Sequence, residues 1–355
     1  MSDEREIGLD TELRHNLWHK VRRGLRLWRS GELSLRRLAN AGLCHISLRR
    51  RWSRVLGKPF FLMVEPTNAC NLRCPLCPTG RGTLERKTAF LPLDLYKQVI
   101  DEIGGTLIDV NVSNYGEPMM HQDLPEMIAY AKAAGARVGI GCNAHFITDE
   151  SARALVESGL DGVYISFDGC DQEAYATYRV RGDFAKVVEG VKTLLAQREA
   201  LGRHNPFVEL QFLVMRHNEH QVDEFRRMAD ELGADRRIIK PVSFNVADWD
   251  DEATRATFAD FFPSDPRYQV YRREGDAWRW KRDELDFCTA PWRSLVVLAD
   301  GSIVPCCRDP RGRYTMGNVA DGVVQVWNNA KFRAFRRNLV ERREKMPICN
   351  VCPGE

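Results

Sequence analysis

No run of apolar residues approaches the roughly 18 positions that a bilayer-spanning helix needs; the longest are residues 60–64 and 294–299. No secretory signal is expected either, because the sequence opens MSDEREIG, acidic and polar. There is no internal repeat, no low-complexity tract and no match to a DNA- or RNA-binding module, so no nucleic-acid partner is expected. Nor is the composition extreme: 44% hydrophobic and 28% charged residues exclude a disordered or collagen-like chain. What remains is the expectation of a folded, cytoplasmic protein whose 355 residues suggest about two domains.

Cysteine is what the chain has in excess. Eleven of them without an export signal argue against a disulfide framework. In a reducing compartment, clustered thiols point to metal binding or redox chemistry. Seven fall at recognisable spacings; Cys44, Cys142, Cys170 and Cys307 do not. The first three of those are most simply read as small apolar residues.

The net charge of +3 hides an asymmetry. Residues 1–58 hold 14 Lys and Arg against 6 Asp and Glu, and the remainder 38 against 43. Within residues 11–30, Leu13, Leu17, Val21, Leu25 and Trp28 recur at helical spacing, with Arg and Lys on the other faces. This reads as a helical arm packed on the body. A sharper reading is a basic amphipathic helix in peripheral contact with the inner membrane face. Residues 33–43 read as a second short helix.

From residue 58 strand-like and helix-like stretches alternate. The strand-like runs are 60–65, 107–112, 136–141, 161–167, 207–215 and 236–242. Between them lie helix-like stretches at 94–103, 121–134, 149–158, 184–201 and 221–233. The class is α/β with parallel β/α units; periodicity fits a doubly wound sheet and an incomplete barrel equally. Residues 246–286 break the pattern and read as a linker or lid. Residues 293–305 read as a hairpin turning at Asp300-Gly301, followed by a helix-like stretch at 323–342. The divisions expected are an N-terminal arm (1–57), an α/β body (58–245), the linker or lid (246–286) and a small C-terminal domain (287–355). A metal staple is plausible for so small a unit.

Cys70, Cys74 and Cys77 form a C-x3-C-x2-C set directly after the first predicted strand. Three thiolates on one loop suit three irons of a [4Fe–4S] cube, whose usual complement is four cysteines. Tetrahedral zinc would need a fourth ligand, which His145 supplies only if the fold brings it near. In this spacing and position the chain resembles the radical S-adenosylmethionine (SAM) enzymes. Other segments fit in order. Asn114-Tyr115-Gly116-Glu117-Pro118 resembles the family's Gly-Gly-Glu-Pro segment, with Tyr115 in place of the first Gly. Cys142-Asn143-Ala144 resembles its Thr-Asn-Gly segment with two positions changed. Ile165-Ser166-Phe167-Asp168-Gly169 resembles its ribose-binding segment, and Arg179 matches a position that contacts the SAM carboxylate.

The resemblance covers about residues 58–245 and implies a partial (β/α)6 TIM-like barrel. It also implies a [4Fe–4S] cluster with SAM, and a one-electron reductant such as flavodoxin or ferredoxin. The implied chemistry is reductive cleavage of SAM to a 5′-deoxyadenosyl radical that removes a hydrogen atom from substrate. Glu117 or backbone carbonyls near Gly116 would accept from the SAM ammonium. Ser166 and Asp168 would bind ribose hydroxyls, and Arg179 would fork onto the carboxylate. Taken alone, Glu117 is equally a capping carboxylate and Asp168-Gly169 an ordinary turn.

Cys288, Cys306, Cys349 and Cys352 form the second set, which spacing alone assigns to zinc or to an iron–sulfur cluster. Beside the first set it resembles the auxiliary-cluster domains of SPASM and twitch radical SAM enzymes. A fully thiolate-ligated cluster would serve electron transfer, which suggests two-electron oxidation of a small, sugar-like metabolite by a radical SAM oxidoreductase. The alternatives are a ribosomal-peptide maturase, an enzyme acting on a lipid-linked or envelope substrate, and a non-enzymatic iron–sulfur or zinc relay. Tyr115, Asn143, His145, Gln211 and Lys240 lie near predicted strand ends; each could face a cavity or be a satisfied scaffold residue, and no catalytic acid or base is assigned.

Overall fold

Alternation along the strands decides the architecture. A computed structural model describes residues 34–243, 252–275, 277–281, 287–349 and Cys352; the basic segment 11–30 lies outside them. Six strands run parallel and neighbour one another in sequence order: β1 (Phe61–Val64), β2 (Asp109–Asn111), β3 (Arg137–Cys142), β4 (Gly162–Ser166), β5 (Phe207–Val214) and β6 (Arg236–Pro241). In β1 to β4 every second side chain is buried, Leu62, Val64, Val110, Val138, Ile140, Val163 and Ile165 among them. These join the main core with apolar residues of the surrounding helices. The alternate positions include Asn111, Gly139, Gly162 and Tyr164, which line a hollow of about 630 Å³. A doubly wound sheet buries both faces and reverses its strand order at a switch point. Here the order is kept and one face lines a hollow, so the α/β body is a partial barrel.

The helices in chain order are α1 (Leu35–Arg49), α2 (Pro78–Arg81), α3 (Leu93–Ile103), α4 (Leu124–Ala133), α5 (Asp149–Glu157), α6 (Gln172–Tyr178), α7 (Phe184–Ala200) and α8 (Val222–Glu231). Their starts follow local chemistry. Thr148 caps α5 through a reciprocal box with Ser151, while Asp171 and Asp183 cap α6 and α7. The short helix expected at 33–43 runs on to Arg49. Its Arg37 side chain donates to the carbonyls of Leu107 (2.6 Å), Gly104 (3.2 Å) and Ala134 (2.5 Å). A cation there satisfies backbone acceptors at helix C-terminal ends.

The segment expected to be a linker or lid contains α9 (Glu252–Phe261) and a hairpin of β7 (Tyr271–Glu274) and β8 (Ala277–Trp280). Phe258, Phe262, Tyr271 and Trp278 from this insert form one buried cluster with Leu72, Cys74, Leu76 and Tyr178. Its aromatic content is therefore packing against the loop after β1. Beyond it come α10 (Ala290–Arg293), β9 (Ser294–Val297), β10 (Ser302–Val304), β11 (Gly317–Asn318), α11 (Val323–Trp327) and α12 (Ala330–Glu341). β9 pairs parallel with the free edge of β1, and β10 and β11 continue the sheet antiparallel. The stretch expected as one helix at 323–342 breaks at Asn328 and Asn329, because the Asn329 side chain accepts from Phe332 N and caps α12.

A buried ion pair fastens the C-terminal hairpin to the loop after β1. Glu65 and Arg86 have side chains 0% and 7% exposed, and Arg86 Nη2 donates to both carboxylate oxygens at 2.8 and 3.0 Å. Glu65 Oε1 also accepts from Ala299 N at 3.1 Å, and Arg86 Nε donates to the Pro310 carbonyl at 2.7 Å. Burial pushes the Glu65 carboxyl upward while Arg86 pulls it back. Arg86→Met strands that carboxylate and is expected to cost about 3–5 kcal/mol in urea unfolding. Adding Glu65→Leu should restore most of the loss, since no uncompensated charge then remains.

Candidate active site

The loop after β1 carries Cys70, Cys74 and Cys77, and its entry is rigid. Thr67 Oγ1 donates to the Ala89 carbonyl, and the Asn68 side chain accepts from Ala89 N and donates to the Lys87 carbonyl. The loop then turns tightly, with Leu72 N donating to Cys70 Sγ at 3.4 Å and Cys77 N to the Cys74 carbonyl at 3.1 Å. α2 crosses so closely that a Cβ on Gly80 would lie 2.5 Å from Cys74 backbone atoms. Burial pushes the Cys70 thiol up to about 12, opposed by the Leu72 N–H and reinforced by Glu117, Cys74 and Cys77. Burial also raises the Cys74 thiol, and Arg179 draws it back.

The donor set fits a cluster better than a single zinc ion. Among the described residues, no three of His, Cys, Asp and Glu converge tightly enough for one metal ion. His145 is no fourth ligand: its Nε2 accepts from Asp183 N at 2.8 Å and its Nδ1 faces the Asn143 carbonyl at 2.9 Å. Both ring nitrogens are thus committed to the scaffold, and burial lowers the imidazole's basicity.

Three neighbouring loops are stitched together beside the cysteines. Glu117 N donates to the Ala69 carbonyl at 2.7 Å, while its carboxylate accepts from Met119 N (3.1 Å) and Asn143 N (2.8 Å). Asn143 Nδ2 in turn donates to Asn71 Oδ1 at 2.7 Å. Burial lifts the Glu117 carboxyl to about 7 in spite of those two N–H donors. Its oxygens brace the loops. Ala144, where the resembling segment has Gly, sits in the left-handed region at φ +61°.

At the C-terminal end of β4, Ser166 is half-buried and Asp168 fully buried. Asp168 Oδ2 accepts from Arg179 Nε at 2.6 Å and Oδ1 from Leu213 N at 2.7 Å. Arg179 also donates from Nη1 toward Cys74 Sγ at 3.7 Å. Asp168 therefore aims a guanidinium at the cysteine loop. Gln211 and Lys240 belong to a wall network, in which Lys240 Nζ donates to Gln211 Oε1 at 3.0 Å and Gln211 Nε2 to Glu209 at 2.6 Å. Tyr115 is within electrostatic reach of Cys77 and of Cys306, Cys307 and Arg308.

Members of the second set lie within electrostatic reach of one another. Cys306 interacts with Cys288, and Cys349 with Cys288 and Cys352. Arg308 N donates to Cys306 Sγ at 3.4 Å, and the guanidinium of Arg308 faces Cys352, Cys307 and Cys306. Cys307 hydrogen-bonds Cys306 and packs against Met63, Val296, Leu298 and Val304. The sequence did not single out Arg308 or Tyr164. Tyr164 spans the hollow, its hydroxyl 3.0 Å from Ser113 Oγ, and a Cβ on Gly141 would overlap its ring. The glycine facing an aromatic residue was the available signal.

Comparison with known proteins agrees with this geometry. A model described as the radical SAM superfamily matches residues 64–229, and one for SPASM, an iron–sulfur cluster-binding domain, matches residues 288–353. The mycofactocin maturase MftC of Mycobacterium ulcerans is 30% identical over 303 residues, 79% of this chain and 78% of that protein. The tungsten-containing aldehyde ferredoxin oxidoreductase cofactor-modifying protein of Pyrococcus furiosus is 24% identical over 312 residues, 82% of this chain and 86% of that protein. Among solved structures, Streptococcus suis SuiB bound to precursor peptide SuiA shares the fold, with a TM-score of 0.58 at 15% identity over 96% of this chain and 83% of that one.

Proposed function

This chain belongs to the radical SAM superfamily and carries a C-terminal SPASM iron–sulfur domain, and on that footing we propose that it is a maturase acting on a precursor peptide. Its radical SAM domain binds a [4Fe–4S] cluster with SAM, and its SPASM domain an auxiliary iron–sulfur cluster. When bound, these groups supply one-electron cleavage of the sulfonium and a 5′-deoxyadenosyl radical that takes a hydrogen atom from substrate.

The protein's part is to hold and aim. Cys70, Cys74 and Cys77 would hold the first cluster, and Cys288, Cys306, Cys349 and Cys352 the second. One observation carries the SAM site: Arg179 is held by Asp168 with its outer nitrogen at Cys74 Sγ. Nε and Nη2 are both engaged by Asp168, so the SAM carboxylate would meet the Nη1 edge of that guanidinium. Backbone carbonyls around Gly116 receive the ammonium, and Ser166 a ribose hydroxyl. A flavodoxin or ferredoxin supplies the electron.

The peptide reading rests on the 30% identity to a protein named a maturase, which favours it over oxidation of a sugar-like alcohol. Dithionite-reduced holoenzyme with SAM and a short precursor peptide should give 5′-deoxyadenosine and a peptide of altered mass. An unaltered peptide, with a small alcohol converted to a ketone, overturns it.

Arg179→Lys keeps the charge but loses the fork, and should weaken SAM binding to unreduced holoenzyme by about 10–100-fold. Asp168→Asn should act through the aim of Arg179 and cost less, about 3–10-fold. Equilibrium dialysis of labelled SAM reads both.

A further inference from the structure

Helix α1 is inside out. Its buried face carries Arg37, Asn40, Cys44 and Ser47, and each finds hydrogen bonds there. Asn40 pairs with both backbone groups of Lys58, Cys44 Sγ donates to the Lys58 carbonyl, and Ser47 Oγ accepts from Leu56 N. The opposite face carries leucine and isoleucine: Leu35 is 72% exposed, and Leu38, Leu43 and Ile46 are 37%, 41% and 48% exposed. At 100° per residue these four share one side of the helix, away from the buried set. Trp52 and Leu56, just beyond the helix, are 45% and 52% exposed. A surface helix ordinarily does the reverse, and a contiguous apolar patch of this kind marks a contact surface.

The rim says what covers it. Arg36, Arg49, Arg50, Arg51 and Arg54 are all exposed, and residues 33–58 contain no Asp or Glu. A second copy of the chain would bring like charges together across a two-fold axis. Apolar side chains with tryptophan and a purely cationic rim match an anionic lipid headgroup layer over acyl chains. We propose that the outward face of α1 docks this protein on an anionic bilayer surface.

The docking face sits at the foot of the barrel. Arg37 reaches carbonyls just before β2 and β3, and α1 packs against α10, which leads into β9. The cysteine loop leaves the other ends of the strands. Docking therefore turns the mouth of the site toward the aqueous side, which suits a soluble substrate better than one embedded in lipid.

The test uses full-length holoenzyme and co-sedimentation with vesicles of phosphatidylcholine, with and without about 30% phosphatidylglycerol. Binding to the anionic vesicles should be at least about 10-fold tighter. Leu38→Asp with Ile46→Asp should abolish it while the melting temperature and 5′-deoxyadenosine formation stay unchanged. Arg49→Gln with Arg50→Gln, which leaves the apolar stripe intact, should weaken it about 10-fold and flatten its salt dependence. Three results overturn the proposal: no preference for anionic vesicles, wild-type-like sedimentation of the Asp double variant, or a lipid-indifferent dimer that this variant dissociates.

Discussion

Replacing Cys70, Cys74 and Cys77 together with alanine leaves protein that has lost about four irons, keeps its auxiliary cluster and forms no 5′-deoxyadenosine above background. The three side chains come from one loop, and His145 beside them is committed to Asp183 N and the Asn143 carbonyl. Retaining two of the three gains little, because a cube with two open irons is easily lost. The fold should survive, since Cys74 clusters with Leu72, Leu76 and Tyr178, which stay packed with Phe258, Phe262, Tyr271 and Trp278. Circular dichroism and the electron paramagnetic resonance signal of the second cluster provide the control. Continued SAM cleavage by the triple variant would falsify the assignment of this loop.

Gly116→Ala should be nearly as damaging although it touches no sulfur. Gly116 sits at φ +89°, and a Cβ there would lie 2.2 Å from the Thr67 carbonyl oxygen, 2.8 Å from that of Ala69 and 2.8 Å from Asn68 Cα. All three obstacles are backbone, so no side chain can swing aside. The left-handed conformation costs about 1–3 kcal/mol for alanine, and forcing the loops apart about 1–3 kcal/mol more. The displaced chain is the one that leads into Cys70, and a shift of about 1 Å at a reacting centre can cost about 100-fold in rate. Iron in the first cluster should fall and 5′-deoxyadenosine formation should drop by about that factor. Gly202→Ala is the control. It shares a positive φ of +60° but has open space around it, so it should show backbone strain alone, with the rate unchanged.

The candidate site was legible where chemistry is written as spacing. The first cysteine set, the Gly-Glu-Pro segment and Arg179 could be read in order along the chain, because each follows a strand whose apolar alternation is plain. The roles of the polar residues were harder to read. Asp168 and Glu117 were expected to meet SAM, and the scaffold partners of their carboxylates, Arg179, Leu213 N, Met119 N and Asn143 N, could not be foreseen. A carboxylate's partner depends on loops distant in sequence, and no local pattern announces it. His145 was ambiguous for the same reason until Asp183 N, 38 residues away in sequence, claimed its Nε2.

Sequence alone determined the β/α repeat, the two thiol sets and the radical SAM resemblance, because hydrophobic period and ligand spacing are properties of neighbouring residues. Tertiary structure alone decided that the sheet curls into a barrel instead of lying flat between two helix layers, since that depends on which strand edges pair. It likewise decided that β9 extends the edge of β1, that Tyr115 comes within electrostatic reach of members of both cysteine sets and that α1 turns its leucines outward. Each of these is a contact between segments far apart in the chain, fixed by packing and by the need to satisfy buried polar groups.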